Sequence, residues 1–446
     1  MKIFNKRISS FQIIIFGFML VILIGSSLLM LPISTRGSGG ASFIDAFFTA
    51  TSAVCVTGLI TNDTATYWSQ FGQTIILILI QIGGMGVVTT ATVVTIVSGK
   101  KIGLIQRSTI QESISAHQVG GIVRLTGFIV RVAMIIELIG ALIMSPVFCK
   151  EFGFWKGLWY SLFHSVSAFC NAGFDLMGAK EPFSSLTYFS SQPLINITLM
   201  LLIVIGGIGF STWDDIKVNK FHLKKYRMQS KVILSITACL IIFPALYFYF
   251  YEFAHNSWGL SGAKRWLCSF FQSITLRTAG FNTVDFGLLS DCGIAIMIIF
   301  MLIGGSPGST AGGMKTTTVA VLFSSAFAVF RKKNNASFFG RRINENAVRN
   351  AATIFLAYIV LFITGGIIIS IIENLPLSTC LFETASAIGT VGLTMGITPD
   401  LSLISHLILI ALMFFGRVGI MTLVFATFPG NNSNVSRLPE ERITVG

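Results

Sequence analysis

Residues 43–59 read FIDAFFTATSAVCVTGL, a moderately apolar, helix-like front that closes on Val56, Thr57 and Gly58. A piece this short cannot cross a bilayer, which takes about 20 apolar residues. It recurs three times, as LWYSLFHSVSAFCNAGF at 158–174, RWLCSFFQSITLRTAGF at 265–281 and LSTCLFETASAIGTVGL at 377–393. The closing glycines, Gly58, Gly173, Gly280 and Gly392, are 115, 107 and 112 residues apart. Phe48, Phe163, Phe270 and Phe382 each stand ten positions before the glycine; Ser52, Ser167 and Ser386 stand six before it, with Ile274 the exception. Repetition at a near-constant period outranks any single motif as a guide to architecture.

Composition supplies the solvent. Of 446 residues 53% are apolar and 11% charged, where a soluble domain carries about a quarter charged. Apolar runs recur at 11–31, 71–98, 122–148, 193–212, 230–251, 292–330, 347–372 and 403–428. One glycine segment falls between the members of each pair. The chain is therefore predicted to be a single integral membrane domain over 1–446. Its four parallel helix–pore-loop–helix repeats cover 1–99, 100–215, 216–333 and 334–430, and a short cytoplasmic tail covers 431–446. The expected fold is all-α, with eight transmembrane helices and four re-entrant half-helices around one central pore. Lys2, Lys6 and Arg7 before the first run imitate a signal peptide, but the run is long enough to span and no small-x-small site follows, which predicts a retained helix. Seven scattered cysteines make no disulfide framework and no CxxC pair.

Charge predicts orientation. The N-terminus, the linkers at 99–124, 212–231 and 331–349, and the tail hold 21 of the 31 Lys and Arg but only six acids. The stretches around the glycine segments hold seven Lys and Arg against eleven acids. The positive-inside rule places the first set, with both termini, in the cytoplasm. Each glycine segment then dips in from outside. KFHLKKYR at 220–227 and RKK at 331–333, flanked by spans, set topology and meet anionic lipid rather than nucleic acid.

Non-helical backbone at membrane depth is tolerated only where protein buries it or where it lines a water-filled cavity. Four such turns about one axis would aim rings of carbonyl oxygens inward, the arrangement that replaces an ion's hydration shell in a potassium filter. The expected filter is Val56, Thr57, Gly58; Asn171, Ala172, Gly173; Thr278, Ala279, Gly280; and Thr390, Val391, Gly392. Glycine offers dihedrals closed to other residues, and the half-helix C-termini add negative potential where a cation sits.

With these residues in view, the sequence resembles the bacterial Ktr/Trk and plant HKT superfamily of potassium transporters from Phe11 to the tail. TATSAVCVTGL, SAFCNAGFDL, TLRTAGFNTVDFG and SAIGTVGLTMGIT match its four filter signatures, and FFGRVG matches its last helix. The additional N-terminal helices of Trk-type members are absent, and the short chain with its RLPEERITVG end is similar to the family's KtrB-type membrane subunits. The resemblance implies potassium uptake across the bacterial cell membrane. It also implies a homodimer on a cytosolic ring of KtrA-like nucleotide-binding subunits, and stimulation by Na+. Glycine at all four filter positions, where sodium-permeable plant members carry a serine in the first, favours K+.

One further stretch, GGSPGSTAGGMKTTT at 304–318, nearly spells a phosphate-binding loop, but Met314 stands where its lysine belongs and Lys315 comes one residue late. Segment 292–330 is too long for one span, Pro307 opposes a helix, and glycines crowd 304–313. The expectation is an intramembrane gating loop beneath the filter, with Gly304, Gly305, Gly308, Gly312, Gly313 and Lys315, or else a static helix break. Ile82-Gly83-Gly84, Ile205-Gly206-Gly207 and Phe415-Gly416-Arg417 stand at the matching place in the other units, where close helix packing is the plain reading. Arg417, an intramembrane charge, is expected to face the pore near the loop, and Lys315 to hold the loop by donating to carbonyls.

Other polar residues take structural readings. Arg277 is expected to turn away from the pore and be tied to acids such as Asp285 or to half-helix carbonyls, and Glu137 to pair with a polar group such as Arg131 or with a backbone donor. His164 and Glu383 are read as packing behind the filter. Asp63, Asp175 and Asp285 either concentrate cations at the outer mouth or are solvated acids. A coupled secondary transporter would need inverted repeats and midplane acids. An enzyme would need a nucleophile–base pair or a metal cluster, and no such motif appears in the sequence.

Overall fold

A computed structural model describes residues 9–37, 39–98, 103–113, 120–220, 222–333 and 335–427. The basic N-terminal residues Lys2, Lys6 and Arg7, and the expected tail at 431–446 with its RLPEERITVG end, lie outside the described residues.

Each unit opens with a helix long and apolar enough to cross a bilayer: Ser10–Leu29, Ile122–Phe152, Met228–Phe250 and Glu345–Glu373. A short half-helix follows, over Phe43–Cys55, Phe154–Phe169, Gly262–Thr275 and Leu377–Gly389. The second helices begin at Gln70–Met85, Pro193–Gly207, Asp291–Met301 and Leu403–Val418. The chain is thus a multi-pass, predominantly helical membrane protein. A two-stranded hairpin, Ser337–Phe338 with Arg341–Arg342, sits in the linker between units three and four.

The second helices differ from the straight spans expected. Three turn through 97°, 95° and 90° into Val87–Val97, Phe210–Asn219 and Ile420–Thr427. The corners are Gly86, Gly209 and Gly419, with φ of 85°, 91° and 88°, values that side chains with a Cβ rarely adopt. In unit three residues 302–315 are non-helical before Thr316–Phe330 resumes. The break predicted for one unit is therefore present in all four, and only unit three widens it into a loop.

The paired glycines pack as the sequence suggests. A Cβ built on Gly83, Gly206 or Gly416 would fall 2.1, 2.0 or 2.2 Å from the carbonyl oxygen of Val54, Phe169 or Ile388. Each oxygen lies four residues before the closing glycine of its own unit, so the missing Cβ lets the second helix rest on the end of the half-helix. Gly304 breaks the pattern and abuts the Gly312 carbonyl of its own loop. Phe48, Phe163 and Phe382 are fully buried, whereas Phe270 is half-buried and stacks on Trp266.

Candidate functional site: a ring of four glycine segments above a loop

The four closing glycines meet. A Cβ on Gly58 would lie 2.5 Å from the Ala172 carbonyl oxygen and 3.1 Å from the Gly173 Cα. One on Gly173 would meet Ala279 O and Gly280 Cα, both at 2.8 Å; one on Gly280 would meet Val391 O at 2.5 Å; one on Gly392 would meet Thr57 O at 2.1 Å. The contacts run from unit one to two, three, four and back to one, so the ring closes. No side chain larger than hydrogen fits at these four positions.

Backbone conformation repeats with the same symmetry. Val56, Asn171, Thr278 and Thr390, each two before its glycine, have φ of 58°, 60°, 64° and 51°, and the glycines themselves have positive φ. Left-handed residues alternate with ordinary ones in all four segments. Such strain in non-glycine residues persists only where the surroundings enforce it.

Hydrogen bonding enforces it here, because the N–H groups turn back to the half-helices. Thr57 and Val391 donate to the carbonyls of Ser52 and Ser386 at 2.8 Å, and Gly58 and Gly392 donate to the hydroxyls of the same serines at 3.0 Å. In unit two the Ser167 hydroxyl donates to the Phe174 carbonyl at 2.7 Å. In unit three Thr275 makes the matching bond to Phe281 at 2.5 Å, which explains why Ile274 can replace the recurrent serine. No donor among the described residues reaches the carbonyls of 56–58, 171–173, 278–280 or 390–392. Buried acceptors are almost always satisfied, so these oxygens call for water or a cation.

Above the ring opens a cavity of about 420 Å³ that touches all four glycines and Asp63, Asp175, Asp285 and Asp400, one acid per unit. Asp400 was missed in the sequence because it follows its glycine by eight residues. Asp63 is not a solvated acid: it is buried and accepts from the N–H groups of Ala65, Thr66 and Phe183.

Below the ring lies the loop at 302–315. Its Ser306 and Thr310 N–H groups donate to the Gly207 and Gly206 carbonyls of unit two, and Gly313 donates to Gly416 of unit four. A Cβ on Gly312 would meet Thr390 Oγ1 at 2.2 Å, and one on Gly313 would meet the Gly389 carbonyl at 2.7 Å. Gly305 would meet Ala311, and the Gly308 carbonyl accepts from Phe210 N–H at 2.6 Å. Lys315 Nζ donates to the Ala311 and Gly312 carbonyls at 2.9 and 3.5 Å. Arg417 donates to the Thr310 carbonyl and to Gly83 and Gly84 of unit one. The loop is thereby bonded to units two and four, and through Arg417 it is linked to unit one.

One expected pairing is corrected. Arg277 does not reach Asp285, which caps Gly287 in an exposed turn; the guanidinium is buried, bonds Thr237 Oγ1 at 3.2 Å, and its Nε has no partner among the described residues. Glu137 does pair with a polar group, Gln81 in place of Arg131: Nε2 of Gln81 donates to both carboxylate oxygens at 3.1 and 3.2 Å. His164 bonds the Tyr160 carbonyl and the Leu176 N–H. Glu383 accepts from Thr394, Met395 and Thr398, which pins the chain beyond Gly392.

Four units of helix, half-helix and helix thus close on one ring of free backbone acceptors, with Lys315 and Arg417 beneath it, in a multi-pass membrane protein. Residues 3–435 match the family model TrkH, described as cation transport protein, and the chain belongs to this family. It is 42% identical to the potassium/sodium uptake protein NtpJ of Enterococcus hirae, over 99% of this chain and 98% of that one. It is 39% identical to the Ktr system potassium uptake protein B of Bacillus subtilis, over 98% and 96%. The crystal structure of the potassium transporter TrkH from Vibrio parahaemolyticus superposes with a TM-score of 0.75 at 20% identity, covering 96% of this chain and 86% of that one. The family assignment makes the chain a transport protein rather than an enzyme.

Proposed function

We propose that this chain is the potassium-conducting membrane subunit of a Ktr-type uptake system. The observation that carries the reading is the closed ring of backbone carbonyls that lack a donor. Val56, Thr57, Gly58, Asn171, Ala172, Gly173, Thr278, Ala279, Gly280, Thr390, Val391 and Gly392 would dehydrate K+ with peptide oxygens, each ion passing from the acidic outer cavity. The names of relatives that take up potassium, or potassium and sodium, support the cargo and leave Na+ as a second ion or stimulant.

The loop carrying Gly304, Gly305, Gly308, Gly312, Gly313 and Lys315 is the gate in this reading. Its bonds to units two and four hold it across the path, and Arg417, which ties it on to unit one, adds a positive barrier while it is shut. The basic linkers face the cytoplasm with both termini and receive a KtrA-like nucleotide-binding ring; two copies of the chain pair, each with its own path. Expression in a host lacking potassium uptake tests the reading. Growth should be restored at low external potassium, and shortening 308–313 should raise uptake in correctly assembled protein. Failure to restore growth by well-expressed protein, with or without a KtrA-type partner, would sink it.

A further inference from the structure

Thr310 commits every polar group it has to another unit. Its N–H donates to the Gly206 carbonyl at 3.3 Å, and its carbonyl accepts from Arg417. Its single hydroxyl hydrogen is shared between two acceptors, the Phe169 carbonyl at 3.0 Å and Asn171 Oδ1 at 3.2 Å. Asn171 belongs to the second glycine segment, and its Nδ2 donates across to the Arg277 carbonyl at 3.2 Å, one residue before the third segment. A single side-chain amide thus spans two neighbouring segments of the ring and ends on the loop.

The equivalent residues do nothing comparable. Val56 has no polar side-chain atom, and the hydroxyls of Thr278 and Thr390 have no partner among the described residues. Side-chain hydrogen bonding between loop and ring therefore runs through Asn171 alone among these four positions. Asn171 is also buried and left-handed, at φ 60°, so its side chain has little freedom to find another partner.

We infer that Thr310 and Asn171 form a latch through which the loop sets the geometry of the ring, so that opening and ion discrimination are coupled. With the loop in place, Thr310 fixes Asn171 and Asn171 fixes the carbonyl of Arg277. When the loop swings away, Asn171 loses the donor to its oxygen and the second and third segments lose their brace. The inference rests on the reading of the ring as a potassium path and goes beyond it, because a plain obstruction would leave the ring unchanged when it moved.

The test uses the full chain in liposomes, with rubidium and sodium uptake measured side by side. Thr310→Val keeps the shape and removes the hydroxyl. It should raise rubidium uptake and lower the rubidium-to-sodium ratio, each by about fivefold, the size of one lost hydrogen bond. Thr310→Ser should restore both. Asn171→Ala should lower the ratio and raise uptake in the same way, and Thr310→Val should add nothing in its background, as expected for two members of one contact. Faster uptake at an unchanged ratio overturns the latch, as do unchanged values in both single variants or effects that multiply. Should Thr310→Val fail to assemble, Asn171→Ala decides alone, since an altered ratio at wild-type uptake rate overturns the coupling. A wild-type chain that takes up neither ion overturns the potassium reading instead.

Discussion

Gly83 rests on the carbonyl oxygen of Val54: a Cβ there would sit 2.1 Å from it, far inside van der Waals contact. The oxygen belongs to the last turn of a buried half-helix, whose end in turn fixes Thr57 and Gly58 through Ser52. Backbone on both sides leaves nothing to give.

Gly83→Ala should therefore cost more than the roughly 1–3 kcal/mol usual for overpacking, and Gly206→Ala and Gly416→Ala should behave alike. Gly127→Ala is the control, since Gly127 lies in a helix with nothing within 4 Å of a Cβ and alanine should gain roughly 0.5–1 kcal/mol there. The measurement is the apparent melting temperature in detergent by size-exclusion recovery. Equal melting of Gly83→Ala and wild type would refute the packing account.

Arg417 is the guanidinium that joins loop to unit one, through Thr310 on one side and Gly83 and Gly84 on the other. Arg417→Gln removes the charge and at least one of these bonds while keeping a polar side chain. Rubidium uptake should rise about tenfold, the equivalent of 1.4 kcal/mol, with melting little changed. Loss of folded protein in place of faster uptake would assign Arg417 to the scaffold.

Much of this was legible in the sequence, for a physical reason. A glycine forced by a ring of backbone contacts must recur wherever the ring does, so four aligned copies announce a fourfold arrangement. The bends were written just as plainly, in Gly86, Gly209 and Gly419, each three residues after Gly83, Gly206 and Gly416. They are masked because apolar periodicity continues across them and close packing already accounts for the first glycine of each pair. Side-chain partners were not legible. Gln81 and Glu137 are 56 positions apart, Thr237 and Arg277 40 apart, and polarity alone cannot say which of many donors a buried acid or guanidinium meets. In the sequence Thr310 is one more small polar residue among glycines, and only its neighbours in the fold give it a role.

The cavity above the ring yields the last prediction. Asp175 stands two residues beyond Gly173 at the mouth of the ring, accepting from the Met177 N–H at 2.8 Å. Burial first, then the neighbouring Asp63, push its carboxyl up to about 7 from an ordinary 3.8, against the pull of the Met177 N–H and the Ser185 hydroxyl. Below pH 7 the group is mostly neutral, and above it the mouth gains a negative charge that attracts cations. At limiting potassium, uptake should rise about threefold between pH 6 and pH 8, as a unit charge near the entrance allows at physiological salt. Asp175→Asn should hold uptake at the low-pH value throughout and leave the rate at saturating potassium unchanged. The same rise in Asp175→Asn as in wild type would assign the titration to another group, and a flat wild-type profile would remove Asp175 from the entry path.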